Sequence, residues 1–156
     1  MIRPAFRPDV PSLHALIREL ARYERLEHEV MGTAAELEED LFGARPYVEA
    51  LVVEDAGHVV GFALFFHNYS TFVGRPGLYL EDLFVLPEHR RKGHGFALLR
   101  ELARLAVDRR CGRLEWSVLK WNEPAIAFYR SLGAKAMDEW GTFRMTGETI
   151  VALAGD

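Results

Sequence analysis

Apolar residues return along this chain with two different periods, and the switches between them divide it into elements. After a short strand-like MIRPA, the segment DVPSLHALIRELARYERL carries Leu13, Leu16, Ile17 and Leu20 at three- and four-residue steps, which predicts a helix buried along one side. GTAAELEEDLF predicts a second helix, with Thr33 and Glu36 in the spacing of a capping box. VEALVVED and HVVGFALFFHN are rich in β-branched and aromatic residues, and Asp55-Ala56-Gly57 between them predicts a hairpin turn. GRPG punctuates the chain before another strand, LYLEDLFVL. GFALLRELARLAVDRR then places Leu98, Leu99, Leu102, Leu105 and Ala106 on one helical face. RLEWSVL predicts a strand. NEPAIAFYRSLG predicts a complete helix, with Asn122 as its cap, Pro124 in the first turn and Gly133 past the end. One or two strands are expected around GTFRMTGETIVAL. The order is βααβββαβαβ(β), a mixed α/β fold without internal repeats.

Composition narrows the choice of function. At 156 residues the chain can bury a core without staples, so one domain spanning 1–156 is expected. Cys111 is the only cysteine, which excludes an intrachain disulfide and makes a reducing, cytoplasmic compartment the expectation. No apolar run approaches the ~20 residues that cross a bilayer, and MIRPAFRPDV lacks the apolar centre of a signal peptide. No membrane partner is therefore expected. The histidines show no paired ligand spacing such as HxxxH, so no metal is expected. A net charge of −4 disfavours general nucleic-acid binding.

The chemistry concentrates in a turn between the strand LYLEDLFVL and the helix that follows. Arg90, Arg91, Lys92, Gly93, His94 and Gly95 put cationic side chains and two glycines where the first N–H groups of a helix have no internal partner. Such a turn suits an anion, above all a phosphate. The P-loop pattern GxxxxGK[ST] fails, because no Lys-Ser or Lys-Thr follows Gly93. The dinucleotide fingerprint GxGxxG fails at its third glycine, which is Leu98. On its own a basic glycine turn is as often a solvated connection as a binding site.

Arg-x-x-Gly-x-Gly resembles the pyrophosphate loop of the GNAT superfamily of acetyl-CoA-dependent N-acetyltransferases. YLEDLFV upstream, WNEPAIAFYRSLGA downstream and Tyr23-Glu24 in the first helix are similar to its diamine and thialysine acetyltransferase branch, in order and over nearly the whole chain. The resemblance implies a central mixed sheet splayed between strands 4 and 5, with the pantetheine arm of acetyl-CoA in the gap. It implies that Leu83, Phe84 and Val85 offer backbone groups to that arm. Arg90, Arg91, Lys92, Gly93, His94, Gly95 and Phe96 would hold the pyrophosphate, and Asn122, Glu123, Pro124 and Ala125 would meet the cofactor from the last helix. Tyr129 matches the family's general acid, Glu81 its amine-binding carboxylate and acceptor of the substrate proton through a water, and Tyr23 and Glu24 a substrate-contacting pair. A homodimer belongs to the same implication.

Those roles have physical limits. A tyrosine titrates near ~10 and a thiol near ~8.5, so full proton transfer from Tyr129 to a thiolate runs uphill by roughly 2 kcal/mol. Otherwise Tyr129 is a core aromatic beside Ile126 and Phe128. Glu81 and Asp82 are adjacent, and on a regular strand they point to opposite faces. On that expectation they form no dyad, and Asp82 is a solvated or structural neighbour. Trp116, Trp121 and Trp140 read as core or wall aromatics, and nothing equips Cys111 as a nucleophile.

The substrate is less legible. Glu19, Glu24, Glu27, Glu29, Glu36, Glu38, Glu39 and Asp40 are either two solvated helix faces or a negative rim that attracts a cationic amine. Spermidine-acetylating members carry an aspartate where this chain has Thr71, so a thialysine-like amino acid or a short diamine is expected rather than spermine. Acetylation of a protein lysine or N-terminus, and a non-catalytic acyl-CoA sensor, are the alternatives.

Overall fold

The computed structural model describes residues 1–155, which fall into two compact units, residues 1–117 and 118–155. The first unit is a five-stranded sheet with helices. Strands β1 (Ile2–Pro4), β2 (Glu49–Asp55), β3 (His58–Ser70), β4 (Arg75–Val85) and β5 (Leu114–Trp116) lie side by side in chain order. All neighbours are antiparallel except β4 and β5, which run parallel. This is the mixed sheet the sequence predicts.

Helices α1 (Val10–Tyr23) and α2 (Ala34–Phe42) cover one face. Leu13, Leu16 and Leu20 of α1 are buried against Ala50, Val52, Phe62, Leu64 and Phe84 of the sheet. Thr33 caps α2 as expected, its hydroxyl accepting from the Glu36 N–H at 3.1 Å. Helix α3 (His94–Asp108) packs on β4 and buries Leu98, Leu99, Leu102 and Ala106. The β2–β3 connection is a two-residue turn at Ala56 and Gly57, with φ of 50° and 81°. Both lie in the left-handed region that a tight hairpin of this kind requires.

A polar clasp fixes the start of α1. The Arg3 guanidinium donates to both Asp9 oxygens, at 2.7 and 3.1 Å, while its Nε donates to Glu54 at 2.9 Å. Asp9 also accepts from the Phe6 N–H at 2.7 Å. The chain entering α1 is thereby tied to the end of β2.

The second unit contains α4 (Glu123–Ser131) and α5 (Gly147–Ala154). Asn122 caps α4 through its Oδ1, which accepts from the Ala125 N–H at 3.4 Å. Pro124 sits in the first turn and Gly133 past the end at φ 91°, as the sequence predicts. The expected terminal strands are absent among the described residues: residues 134 to 146 have no regular structure, and GETIVALA is helical. Thr149, Ile150 and Val151 favour a strand by propensity. Local hydrogen bonds win instead, since the Thr149 hydroxyl accepts from the Thr146 N–H at 3.2 Å and donates to the Thr146 carbonyl at 2.7 Å.

The Arg3 hydrogen bonds hold the Asp9 carboxyl below the ordinary carboxylate range. A depressed carboxyl pKa contributes stability above its unfolded value, about 3.9, and loses it as pH falls through the folded value. Asp9→Asn should therefore destabilise the protein by about 1–3 kcal/mol at pH 7. In urea melts the gap from the unsubstituted protein should narrow as pH falls below the unfolded value, about 3.9.

Candidate active site

The site begins with one irregular position in β4. Leu80 lies opposite Phe65 and Asp82 opposite Leu64, so Glu81 is an extra residue on β4, a β-bulge. The bulge reverses the alternation of the strand. Upstream, Leu78 and Leu80 share the face of Phe65 and His67; downstream, Asp82 and Phe84 share the face of Leu64 and Phe62, beneath α1. The expected separation of Glu81 and Asp82 is corrected here, because both line one cavity. A regular strand would have pointed Asp82 toward α3.

That cavity, open to solvent and about 460 Å³ in volume, lies between α1, α2 and β4. Its polar lining is Glu24, Glu29, Glu36, Asp40, Glu81, Asp82, Thr33 and His14, with Ile17, Leu20 and Leu37 among its apolar walls. Part of the acidic stretch therefore lines a cavity. The rest has other work: Glu19 and Glu27 pair with Arg22, and Glu38 with Arg7. Burial raises the Asp82 carboxyl to about 7, with the negative charges of Glu81 and Glu24 adding to the effect. Burial also raises Glu24. Asp82 thus changes charge near neutrality in a cavity that otherwise favours cations.

Beyond Val85 the chain makes one helical turn at Pro87–His89 and enters the glycine loop. Gly93 caps α3 at φ 79°, with no side-chain hydrogen bond closing the helix start. Arg91 is also left-handed, at φ 62°. At Gly95 a Cβ would meet nothing nearer than Leu83 Cδ2 at 3.9 Å, and Gly95 is not among the positive-φ residues. Neither packing nor conformation requires a glycine there, although glycine in a helix costs roughly 0.5–1 kcal/mol against alanine. The missing side chain leaves clearance over the first N–H groups of α3, where phosphate oxygens can approach. The residues present fit a diphosphate flanked by Arg91, Lys92, His94 and the exposed Phe96.

Arg90 sits differently from its neighbours. Its Nε donates to the Val85 carbonyl at 2.9 Å, and its guanidinium lies 5.0 Å from the Tyr23 ring centre and 5.3 Å from that of Phe84. It connects the loop to the end of α1, where Tyr23 and Glu24 lie.

The β4–β5 ladder ends at Leu80 and Trp116 while β4 continues to Val85. Residues 82 to 85 therefore have a sheet partner in β3 but none in β5, the splay the resemblance implies. Backbone polar groups on that side of the strand are the kind that must find another partner. In the second unit, Tyr129 stands on α4 with its ring 5.8 Å from that of Phe128, and Asn122 to Ala125 form the start of the same helix.

Asp82 is the group that the sequence underrates. Its signal is faint: a second carboxylate in an apolar strand needs solvent or a cavity, and only the bulge decides which.

Residues 13–134 match the model of the Acetyltransferase (GNAT) family. The chain is 39% identical to a thialysine N-epsilon-acetyltransferase of Bos taurus, covering 99% of this chain and 97% of that protein. It is 34% identical to an L-ornithine N5-acetyltransferase of Arabidopsis thaliana, covering 97% and 86%. A solved integron cassette protein from V. cholerae superposes with a TM-score of 0.83 at 27% identity, covering 100% of this chain and 98% of that one. The splayed mixed sheet, the glycine loop and these full-length relatives lead to one conclusion: the chain belongs to the acetyltransferase (GNAT) family and is an acetyltransferase.

Proposed function

We propose that this enzyme transfers the acetyl group of acetyl-CoA to the primary amine of a small cation, a short diamine or an amino acid of thialysine type. The observation that carries the reading is Asp82, a carboxyl near neutrality in an acid-lined cavity on the strand that leads into the glycine loop. Two relatives are named for amino acids with a side-chain amine, thialysine and ornithine, which supports the substrate class.

Bound acetyl-CoA supplies an acyl group activated as a thioester. Arg91, Lys92, Gly93, His94, Gly95 and Phe96 would hold its diphosphate, and the backbone of Leu83, Phe84 and Val85 would receive the arm and offer N–H donors to the carbonyl. The family resemblance adds Asn122, whose Oδ1 serves the α4 cap and leaves its Nδ2 as a donor. Arg90 holds Tyr23 in place more than it binds phosphate. Glu24 and Glu81 attract the ammonium, which must lose a proton before it can attack.

The magnitudes favour Asp82 as the acceptor of that proton. A lysine-type ammonium titrates near ~10.4 and an ordinary aspartate near ~3.9, so transfer between them costs about 9 kcal/mol at ~1.36 kcal/mol per unit. With Asp82 raised to about 7, the cost falls to about 5 kcal/mol. Tyr129 hydrogen-bonds or protonates the departing thiolate.

The direct test is release of free thiol from acetyl-CoA in the presence of thialysine, ornithine, putrescine, spermidine, spermine or a lysine peptide. Turnover is expected with the small amines; turnover on the peptide alone, or a clear preference for spermine, overturns the substrate assignment. Tyr129→Phe should lose most of its turnover and keep acetyl-CoA binding, and unchanged turnover removes Tyr129 from the reaction.

Asp82→Asn gives a two-sided check. Its kcat should fall by about 10²–10³-fold, and the acidic limb of the pH profile near 7 should vanish. A raised carboxyl pKa gives stability below its unfolded value, about 3.9, that is lost as pH rises through about 7. The variant should therefore melt higher than the unsubstituted enzyme at pH 8, by about 2–4 °C per kcal/mol relieved, and match it near pH 4. A variant that is active and no more stable at pH 8 refutes the assignment.

A further inference from the structure

One charged cluster in the first unit lies outside the amine cavity. Asp55, the last residue of β2, meets the glycine loop from the hairpin side. Its Oδ2 accepts from Lys92 Nζ at 3.1 Å, stands 3.2 Å from His89 Nδ1 and lies 4.0 Å from His94 Nε2. One carboxylate thus gathers a residue before the loop, one within it and one at the start of α3. His94 Nε2 is buried and has no hydrogen-bond partner, so Asp55 is the acidic group nearest to satisfying it.

We propose that Asp55 is a positioning residue for the diphosphate-binding loop, holding Arg91 to Gly95 in the shape that receives coenzyme A. The inference rests on the acetyl-CoA reading above and goes beyond it, because Asp55 is remote in sequence from the loop.

Two features support this. The loop needs bracing, since Arg91 and Gly93 are both left-handed, at φ 62° and 79°. For a residue with a side chain, that conformation persists only where the surroundings enforce it. Asp55 is also a fixed point. It pairs with His58 across the tight Ala56–Gly57 turn, so its backbone is set by the hairpin and not by the loop it holds. An acidic group beside an anion site looks unfavourable by charge alone. Here Lys92 and His89 surround that charge, and the cost is outweighed if the loop is ordered before the cofactor arrives.

Asp55→Asn keeps the size of the side chain and removes its charge. The KM for acetyl-CoA should rise about tenfold, with kcat and the KM for the amine nearly unchanged. S-acetylpantetheine, which lacks the diphosphate, should be used equally well by the variant and the unsubstituted enzyme. Asp55→Glu should recover most of the acetyl-CoA affinity. An unchanged acetyl-CoA KM overturns the proposal, as does an equal loss with S-acetylpantetheine, which would mark general damage. Calorimetric titration of the unsubstituted enzyme with coenzyme A separates the two levels of inference. Absence of binding there overturns the acetyl-CoA reading and this proposal together. Binding that Asp55→Asn leaves unweakened overturns this proposal alone.

Discussion

The site depends on a single surplus residue in β4. An antiparallel ladder fixes which side chains face which layer, and one added residue exchanges the faces beyond it. Because Glu81 is that residue, Leu78 and Leu80 face one layer while Asp82 and Phe84 face the other. Phe84 then joins the core under α1, and Asp82 enters the cavity beside it. Beyond the bulge β4 also loses β5 as a neighbour. One strand therefore has a conventional structural half and a half with carboxylates on one face and an edge free of β5.

The cavity is arranged against the stability of its own acids. Glu24, Glu81 and Asp82 lie close enough that the first two raise the third, on top of the larger effect of burial. A cation in the cavity would relieve that repulsion. Two other acids of the first unit are matched by arginines. Glu49 receives both terminal nitrogens of Arg109, at 2.7 and 2.8 Å, and Asp9 receives those of Arg3. Pairing holds both carboxyls below their ordinary range. The contrast separates acids held low by an arginine from acids raised by burial in the cavity.

The sequence carried the helices and strands of the first unit because their apolar periods are long and unbroken, from Leu13 to Leu20 in α1 and from Leu98 to Ala106 in α3. The glycine loop was legible for a different reason: its small residues and cations at a helix start are visible as letters. The bulge was not legible, since Glu81 reads as an ordinary strand residue until its partner strand is known. GETIVALA misled through β-branched propensity, which a pair of threonine hydrogen bonds was enough to override. The grouping of acidic residues was half legible, because composition shows the charge but not that Arg22 and Arg7 engage part of it.

Arg90 joins the two chemistries within the first unit. Its Nε is committed to the last carbonyl of β4, and its guanidinium lies near both Tyr23 and Phe84. Each ring contact is worth only about 0.5–1 kcal/mol at an exposed position, so the arrangement contributes little to global stability. Its effect is geometric. The loop cannot shift relative to β4 without moving a planar cation that packs on Tyr23, next to Glu24 of the cavity. Lysine would keep the charge but lose the planar stacking and the directed Nε donor. Position 90 therefore calls for arginine because of what it touches.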